Sequence, residues 1–306
     1  MKGIDFYYLV KPLIPRTVQI ALRRRLVQRR RAACASVWPI DEGAGTVPHG
    51  WTGWPGGKRF ALVLTHDIES AQGIGRCSSL ARIEERLGFR SSFNFVPERY
   101  ATPPELRRDL AGRGFEIGVH GLCHDGKLYR SSEVFRERAD RINGYLREWN
   151  AVGFRSPAMH HNLEWLCALA IRYDSSTFDT DPFEPQADGV RTIFPFRVPD
   201  SEWGPGYVEM PYTLAQDSTL FLLMRETGIG VWRTKLDWIA DRGGMALLNT
   251  HPDYMRWEAG ARPGAGGYPV GYYEEFLAYA AERYGGEYWH GRPREAASCV
   301  VAGEPA

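Results

Sequence analysis

The histidines of this chain are not scattered. Six of the eight (His66, His120, His124, His160, His161 and His251) stand at or just beyond short apolar runs, close in sequence to Asp67, Glu69, Asp125 and Arg155. Core packing does not call for such a gathering, whereas metal binding and proton transfer do. The sharpest unit is Val119-His120-Gly121-Leu122-Cys123-His124-Asp125. If a helical turn begins after the apolar run, the i,i+4 spacing stacks both imidazoles on one face, close enough to share an ion, and Cys123 points elsewhere. A second unit is Ala61-Leu62-Val63-Leu64-Thr65-His66-Asp67-Ile68-Glu69. Strand side chains alternate, so Thr65, Asp67 and Glu69 face one side while His66 and Ile68 face the other. A metal-dependent hydrolase needs one carboxylate on the ion and another free to take a proton from water, and this pair can divide those roles. Taken alone, the same two acids also read as solvated turn residues.

Something must hold these groups in place. Apolar runs at 60–65, 92–96, 115–119, 153–155, 207–210 and 245–249 read as strands, several too continuously apolar to be half-exposed, which is the mark of buried parallel strands. Between them 80–87, 104–111, 133–149 and 163–170 have helix-forming composition, with Gly88, Gly112 and Gly114 at expected helix ends, and 272–284 reads as a closing helix before a tail at 298–306. The fold class is therefore α/β, a barrel or a doubly wound sheet, with functional residues at the C-terminal strand ends in either case. Balanced charge, 38 Lys and Arg against 37 Asp and Glu, and 43% hydrophobic residues exclude a disordered, fibrous or coiled-coil chain.

The balance hides an asymmetry. Residues 1–31 hold nine basic residues against the single acid Asp5, a net +8 in a chain whose total is +1, so the remainder carries −7 and is not expected to bind nucleic acid. The chain accordingly divides into a basic amphipathic extension with an irregular approach segment (1–58) and a catalytic body (59–306). From Thr17 a helix would place Val18, Ala21, Leu22 and Leu26 on one face. Such a helix either lies on an anionic membrane, with Tyr7, Tyr8 and Leu9 in the interface, or docks on the body as a solvated helix. Five cysteines without a CxxC pair indicate neither a disulfide framework nor a zinc ribbon. With no apolar run of spanning length and no secretory pattern, the expected location is cytoplasmic, and the membrane reading of the helix would place it at the inner membrane face.

Five segments in order, Thr65-His66-Asp67-Ile68-Glu69, His120-x-x-x-His124, Arg155-Ser156-Pro157, Tyr173-Asp174-Ser175-Ser176 with Asp179, and Leu247-Leu248-Asn249-Thr250-His251, resemble the signature motifs of the polysaccharide deacetylases, the NodB-homology or carbohydrate esterase family 4 group. The resemblance spans roughly residues 60–252. It implies a distorted (β/α)7-type barrel holding one divalent metal ion, zinc or else cobalt, nickel or manganese. The implied ligands are Glu69, His120 and His124, with Asp67 as base, Arg155 holding that base, His251 as general acid, and Asp179 or Asp174 tuning His251. The sequence departs from the commonest first motif, two adjacent aspartates, by having Ile68 second, which leaves Glu69 as the third ligand, in keeping with the strand alternation. The third motif lacks its usual glycine and continues into Ala158-Met159-His160-His161.

The implied activity is removal of an N-acetyl group from an amino sugar, in a glycan or a nucleotide-linked or lipid-linked precursor, serving cell-surface or exopolysaccharide synthesis. The alternatives are a deformylase, cyclic amidase or O-acetyl esterase on the same scaffold, an iron oxygenase using the same ligand set, or an inactive glycan-binding protein. Phe178, Phe183, Trp203, Tyr207, Tyr212, Trp257 and Tyr268 supply aromatic faces for sugar contact or core, and the glycine-rich stretch 258–269 reads as a mobile lip.

Overall fold

The computed structural model describes residues 16–258, 260–264 and 266–301. The segment with Tyr7, Tyr8 and Leu9, and the tail beyond residue 301, lie outside the described residues. Helix α1 (Arg16–Ala33) comes first, followed by an irregular stretch broken only by 3₁₀ turns at Glu42–Gly45 and Pro55–Gly57.

A barrel follows. Its strands are β1 (Phe60–Ile68), β2 (Ser92–Phe95), β3 (Glu116–His120), β4 (Gly153–Arg155), β5 (Tyr173–Asp174), an antiparallel edge strand β6 (Phe196–Val198), β7 (Tyr207–Glu209) and β8 (Met245–Thr250). β1 pairs with β8 on one side and β2 on the other, and parallel pairing continues through β3, β4 and β5 to β7. Just past β7 the backbone N–H groups of Thr213 and Leu214 donate to the Leu247 carbonyl of β8, at 3.1 and 3.2 Å, so seven parallel strands complete the ring. Outside it, β9 (Met255–Arg256) pairs with β10 (Tyr268–Pro269), and β11 (Tyr288–His290) lies beside the start of β1.

The helices are α2 (Ala71–Ile74), α3 (Cys77–Leu87), α4 (Pro104–Gly112), α5 (Ser132–Trp149), α6 (Leu163–Leu166), α7 (Gly230–Arg242), α8 (Gly271–Tyr284) and α9 (Pro293–Val301), with a π-helical turn at Ser218–Met224. Their ends follow local chemistry: Ser131 Oγ accepts from Val134 N–H to start α5, and Gly88 (φ 82°) ends α3 in the left-handed conformation that glycine reaches without a Cβ clash.

All nine residues of β1 are buried because the strand has two dry faces. Phe60, Leu62, Leu64 and Ile68 pack outward with Cys77 and Leu80 of α3, Leu236 of α7 and Leu277 of α8, while Ala61 and Val63 face the barrel interior with Tyr173, Val208 and Leu247. Burying each large side chain stabilises by about 1.5–3 kcal/mol. A one-residue slip would reverse every one of them, so packing fixes which way Asp67 points. His66 obeys the same alternation, facing outward with Nε2 2.5 Å from Glu84 Oε1 and Nδ1 2.7 Å from Thr250 Oγ1.

β1 runs three residues past the expected 60–65, since His66, Asp67 and Ile68 keep ladder partners on β2. The helix expected over 163–170 stops at Leu166, where the Asn143 side chain donates to the Ala168 carbonyl and accepts from the Ala170 N–H, taking the groups that would extend it. Residues 298–301, expected as tail, belong to α9, which buries Ala296 and Ala297 against the barrel floor while Arg294 N–H donates to Glu116 Oε2 at 3.0 Å. The lower end is thus closed, leaving the C-terminal strand ends as the site of chemistry.

Candidate active site

Glu69 stands one residue beyond β1. Its Oε1 lies 3.0 Å from His124 Nε2, and its Oε2 accepts from the Tyr254 hydroxyl at 2.7 Å. Its backbone N–H donates to Asp253 Oδ2 (2.9 Å), whose other oxygen accepts from the Ser70 hydroxyl, so the loops after β1 and β8 are tied together. His120 is the last residue of β3. Its Nδ1 is 3.1 Å from the Arg155 carbonyl oxygen; the partner is an acceptor, so Nδ1 bears the hydrogen and Nε2 the lone pair. That Nε2 is buried and has no protein partner.

The His120 and His124 rings meet at 5.1 Å and 61°, but not through the helical turn expected from their spacing. Residues 121–125 form a bend, with left-handed φ at Gly121 (63°) and His124 (54°). A Cβ on Gly121 would stand 2.6 Å from the Pro157 ring, so glycine is required there twice over. One donor atom from each of Glu69, His120 and His124 falls within 4.8 Å of the other two. Two imidazole nitrogens and a carboxylate oxygen, one nitrogen buried and unsatisfied, are a donor set that a divalent ion such as zinc fits. Hydrogen bonding of the opposite ring nitrogen to a carbonyl is the usual support of a histidine ligand.

Asp67 lies inside the barrel beside this set. Its Oδ1 accepts from Asn94 Nδ2 (2.9 Å) and faces Arg155 Nη1 (3.5 Å), and its Oδ2 accepts from Asn249 Nδ2 (2.8 Å). Burial pushes its pKa up, but His120, Arg155, His251 and the Asn94 hydrogen bond together hold it well below the usual carboxylate range. Arg155, fully buried, is fixed by hydrogen bonds to the Ser175 carbonyl (2.7 Å), Ser175 Oγ (2.7 Å) and Thr65 Oγ1 (2.8 Å). His251, directly after β8, points Nε2 toward Glu69 Oε1 at 3.9 Å.

The aspartate that serves His251 is neither Asp179 nor Asp174. Asp179 is bound by Lys235 Nζ at 2.5 Å, and Asp174 accepts from the backbone N–H and hydroxyl of Ser176 (2.9 and 2.7 Å). The partner is Asp217, whose Oδ1 is 2.6 Å from His251 Nδ1 and whose Oδ2 accepts from the His251 N–H (2.8 Å) and the Tyr268 hydroxyl (2.9 Å). Burial lowers the His251 pKa, yet Asp217, with Glu69 and Asp67, pushes it up to about 10, so the imidazole is cationic at neutral pH. The only trace of Asp217 in the sequence is its place a few residues beyond a strand end. Tyr268 also pins the end of the stretch expected as a mobile lip.

No family model matches the sequence, and no curated protein matches it. Solved structures do. A candidate polysaccharide deacetylase from Mycobacterium smegmatis superposes with a TM-score of 0.62 at 22% identity, over 84% of this chain and 95% of its own. A probable polysaccharide deacetylase from Pseudomonas aeruginosa PAO1 gives 0.62 at 17%, over 88% and 100%. The fold is that of the NodB-like deacetylase barrel. The Puue allantoinase shares it, with a TM-score of 0.62 at 16% identity over 88% of this chain and 99% of its own.

Within this barrel, the loop after β4 makes up for the missing glycine by placing Ala158 and Met159 at φ 55° and 53°. A small, shallow cleft beside His124 is lined by Leu122, Cys123, Tyr129, Arg138 and His160. His161 is turned away, with Nδ1 on the Met159 carbonyl. Of the aromatics considered for sugar contact, Phe178, Phe183, Tyr207, Tyr212 and Tyr268 are core, and Trp203 stacks on Trp165. Trp257 is exposed (38%), and the Arg76 guanidinium over its ring also donates to the carbonyls of Pro252 and Asp253 beside His251.

Proposed function

We propose that this protein is a metal-dependent hydrolase that removes an N-acetyl group from an amino sugar, in a glycan or a nucleotide-linked or lipid-linked precursor. The reading rests chiefly on one observation: the buried, partnerless Nε2 of His120 converges with His124 and Glu69 beside a carboxylate kept ionised and an imidazole kept cationic. A bound divalent ion would acidify a water molecule and polarise the acyl carbonyl. Glu69, His120 and His124 would hold it. Asp67 accepts the water proton, and Arg155, Asn94 and Asn249 keep its carboxylate oriented for that step. His251 carries the proton that the amine needs before it can leave, and Asp217 keeps it there. Trp257 offers the exposed aromatic face on which a sugar ring can stack.

A second reading, hydrolysis of a cyclic amide, is favoured by the likeness to the allantoinase structure. A panel assay on the zinc-loaded protein separates the two. Acetate release from N-acetylglucosamine oligomers, abolished in Asp67→Asn, is the expected result. Ring opening of allantoin without acetate release would favour the second reading. Turnover of O-acetyl sugars alone, or release of formate, would replace the N-acetyl assignment.

A further inference from the structure

Among its described side chains, helix α1 meets the barrel with one side only. Val27 is buried (4% exposed), Arg24 Nε donates to the Leu222 carbonyl at 2.7 Å, and Arg31 pairs with Glu226 at 2.6 Å. On the opposite side Val18, Leu22 and Leu26 stand 45%, 56% and 48% exposed. Their i, i+4, i+8 spacing makes one stripe, which at about 100° per residue also takes in Arg25 and Arg29 and has Arg23 and Arg30 along one rim. No acid occurs from Arg16 to Ala33.

We propose that this outer face of α1 docks on an anionic lipid bilayer. Val18, Leu22 and Leu26 would sit below the headgroups while Arg25 and Arg29 run their stems along them and carry their charges up to lipid phosphates. Charge complementarity selects this occupant. Two copies of α1 laid face to face would oppose Arg25 and Arg29 to their own equivalents, whereas an anionic surface neutralises them. Residues 32–306, at −7, are repelled by the same surface, so contact is confined to the helix. The helix also lies at the catalytic end of the barrel: the π-helical turn Ser218–Met224, whose Leu222 carbonyl Arg24 holds, begins directly after Asp217.

Co-sedimentation of the full chain with vesicles tests this. Binding to phosphatidylcholine vesicles containing a third phosphatidylglycerol, at least about tenfold weaker on pure phosphatidylcholine, is expected. The double variant Leu22→Glu/Leu26→Glu should lose that binding with an unchanged melting temperature, and Arg25→Gln/Arg29→Gln should lose the preference for anionic lipid. Failure of the natural chain to bind, or binding that survives Leu22→Glu/Leu26→Glu, overturns the proposal. So does a dimer in analytical ultracentrifugation that this variant converts to monomer, since the face would then be an interface between copies.

Discussion

At the scale of single residues, the site is a division of labour set by hydrogen-bond partners. Asp67 and Glu69 are both acids, two positions apart at the end of β1. Asp67 is held by the amides of Asn94 and Asn249 and faces Arg155, while Glu69 meets His124 and Tyr254. Strand alternation put these two acids on one side, and the HxxxH spacing suggested a histidine pair, though through a helical turn that the chain does not form there. Asp217 was not legible, because it lies 34 residues before His251 in no recognisable motif and reaches it only when the chain past β7 bonds to β8. The proposed acid depends on it. Asp217→Asn removes the anion that raises His251, so kcat should fall about 100-fold and the alkaline limb of kcat/KM, set by a group pushed up to about 10, should move toward lower pH. A pH–rate profile with an unmoved alkaline limb would show that His251 is not held cationic by Asp217.

At the scale of elements, short apolar runs revealed six of the seven ring strands, because a strand buried on both faces leaves a continuous signature. The two-residue β5 is too short to leave one, and the edge strands β6 and β11 are only partly buried. Local turn chemistry was less readable: a bend through two left-handed residues brings His120 and His124 together as well as a helical turn would. That bend makes Gly121 a sharp test. Gly121→Ala meets both a φ of 63° and the Pro157 ring, and should cost roughly 2–4 kcal/mol, with metal affinity down at least about tenfold. Gly88→Ala, at φ 82° with open space around it, should cost about 1–2 kcal/mol and leave metal affinity alone. Thermal melts and zinc titrations of both variants read the difference. Equal metal affinity in the two would mean the bend does not position the ligands.

At the scale of the whole molecule, a barrel closed below by α9 leaves one working end, and there the loops after β1, β3, β4 and β8 converge. The β/α alternation left a barrel or a doubly wound sheet open, and the resemblance carried by the five motifs pointed to the barrel; parallel β/α repetition brings the end of each strand to the same face however far apart the residues are in sequence. The extension before residue 59 was legible as basic and amphipathic, but which of its faces packs could not be read from the wheel alone. Val27, outside the predicted stripe, is the buried contact, and the stripe itself is left outward. The convergence of Glu69, His120 and His124 on one ion underlies every step assigned to the site, and the measurement closest to it is elemental analysis of the full chain purified without chelator, beside His120→Ala and Glu69→Ala. One equivalent of zinc or a similar divalent ion in the natural chain, lost from both variants, is the expected result. A natural chain that takes up no added divalent ion would contradict the metal site and the hydrolase built on it.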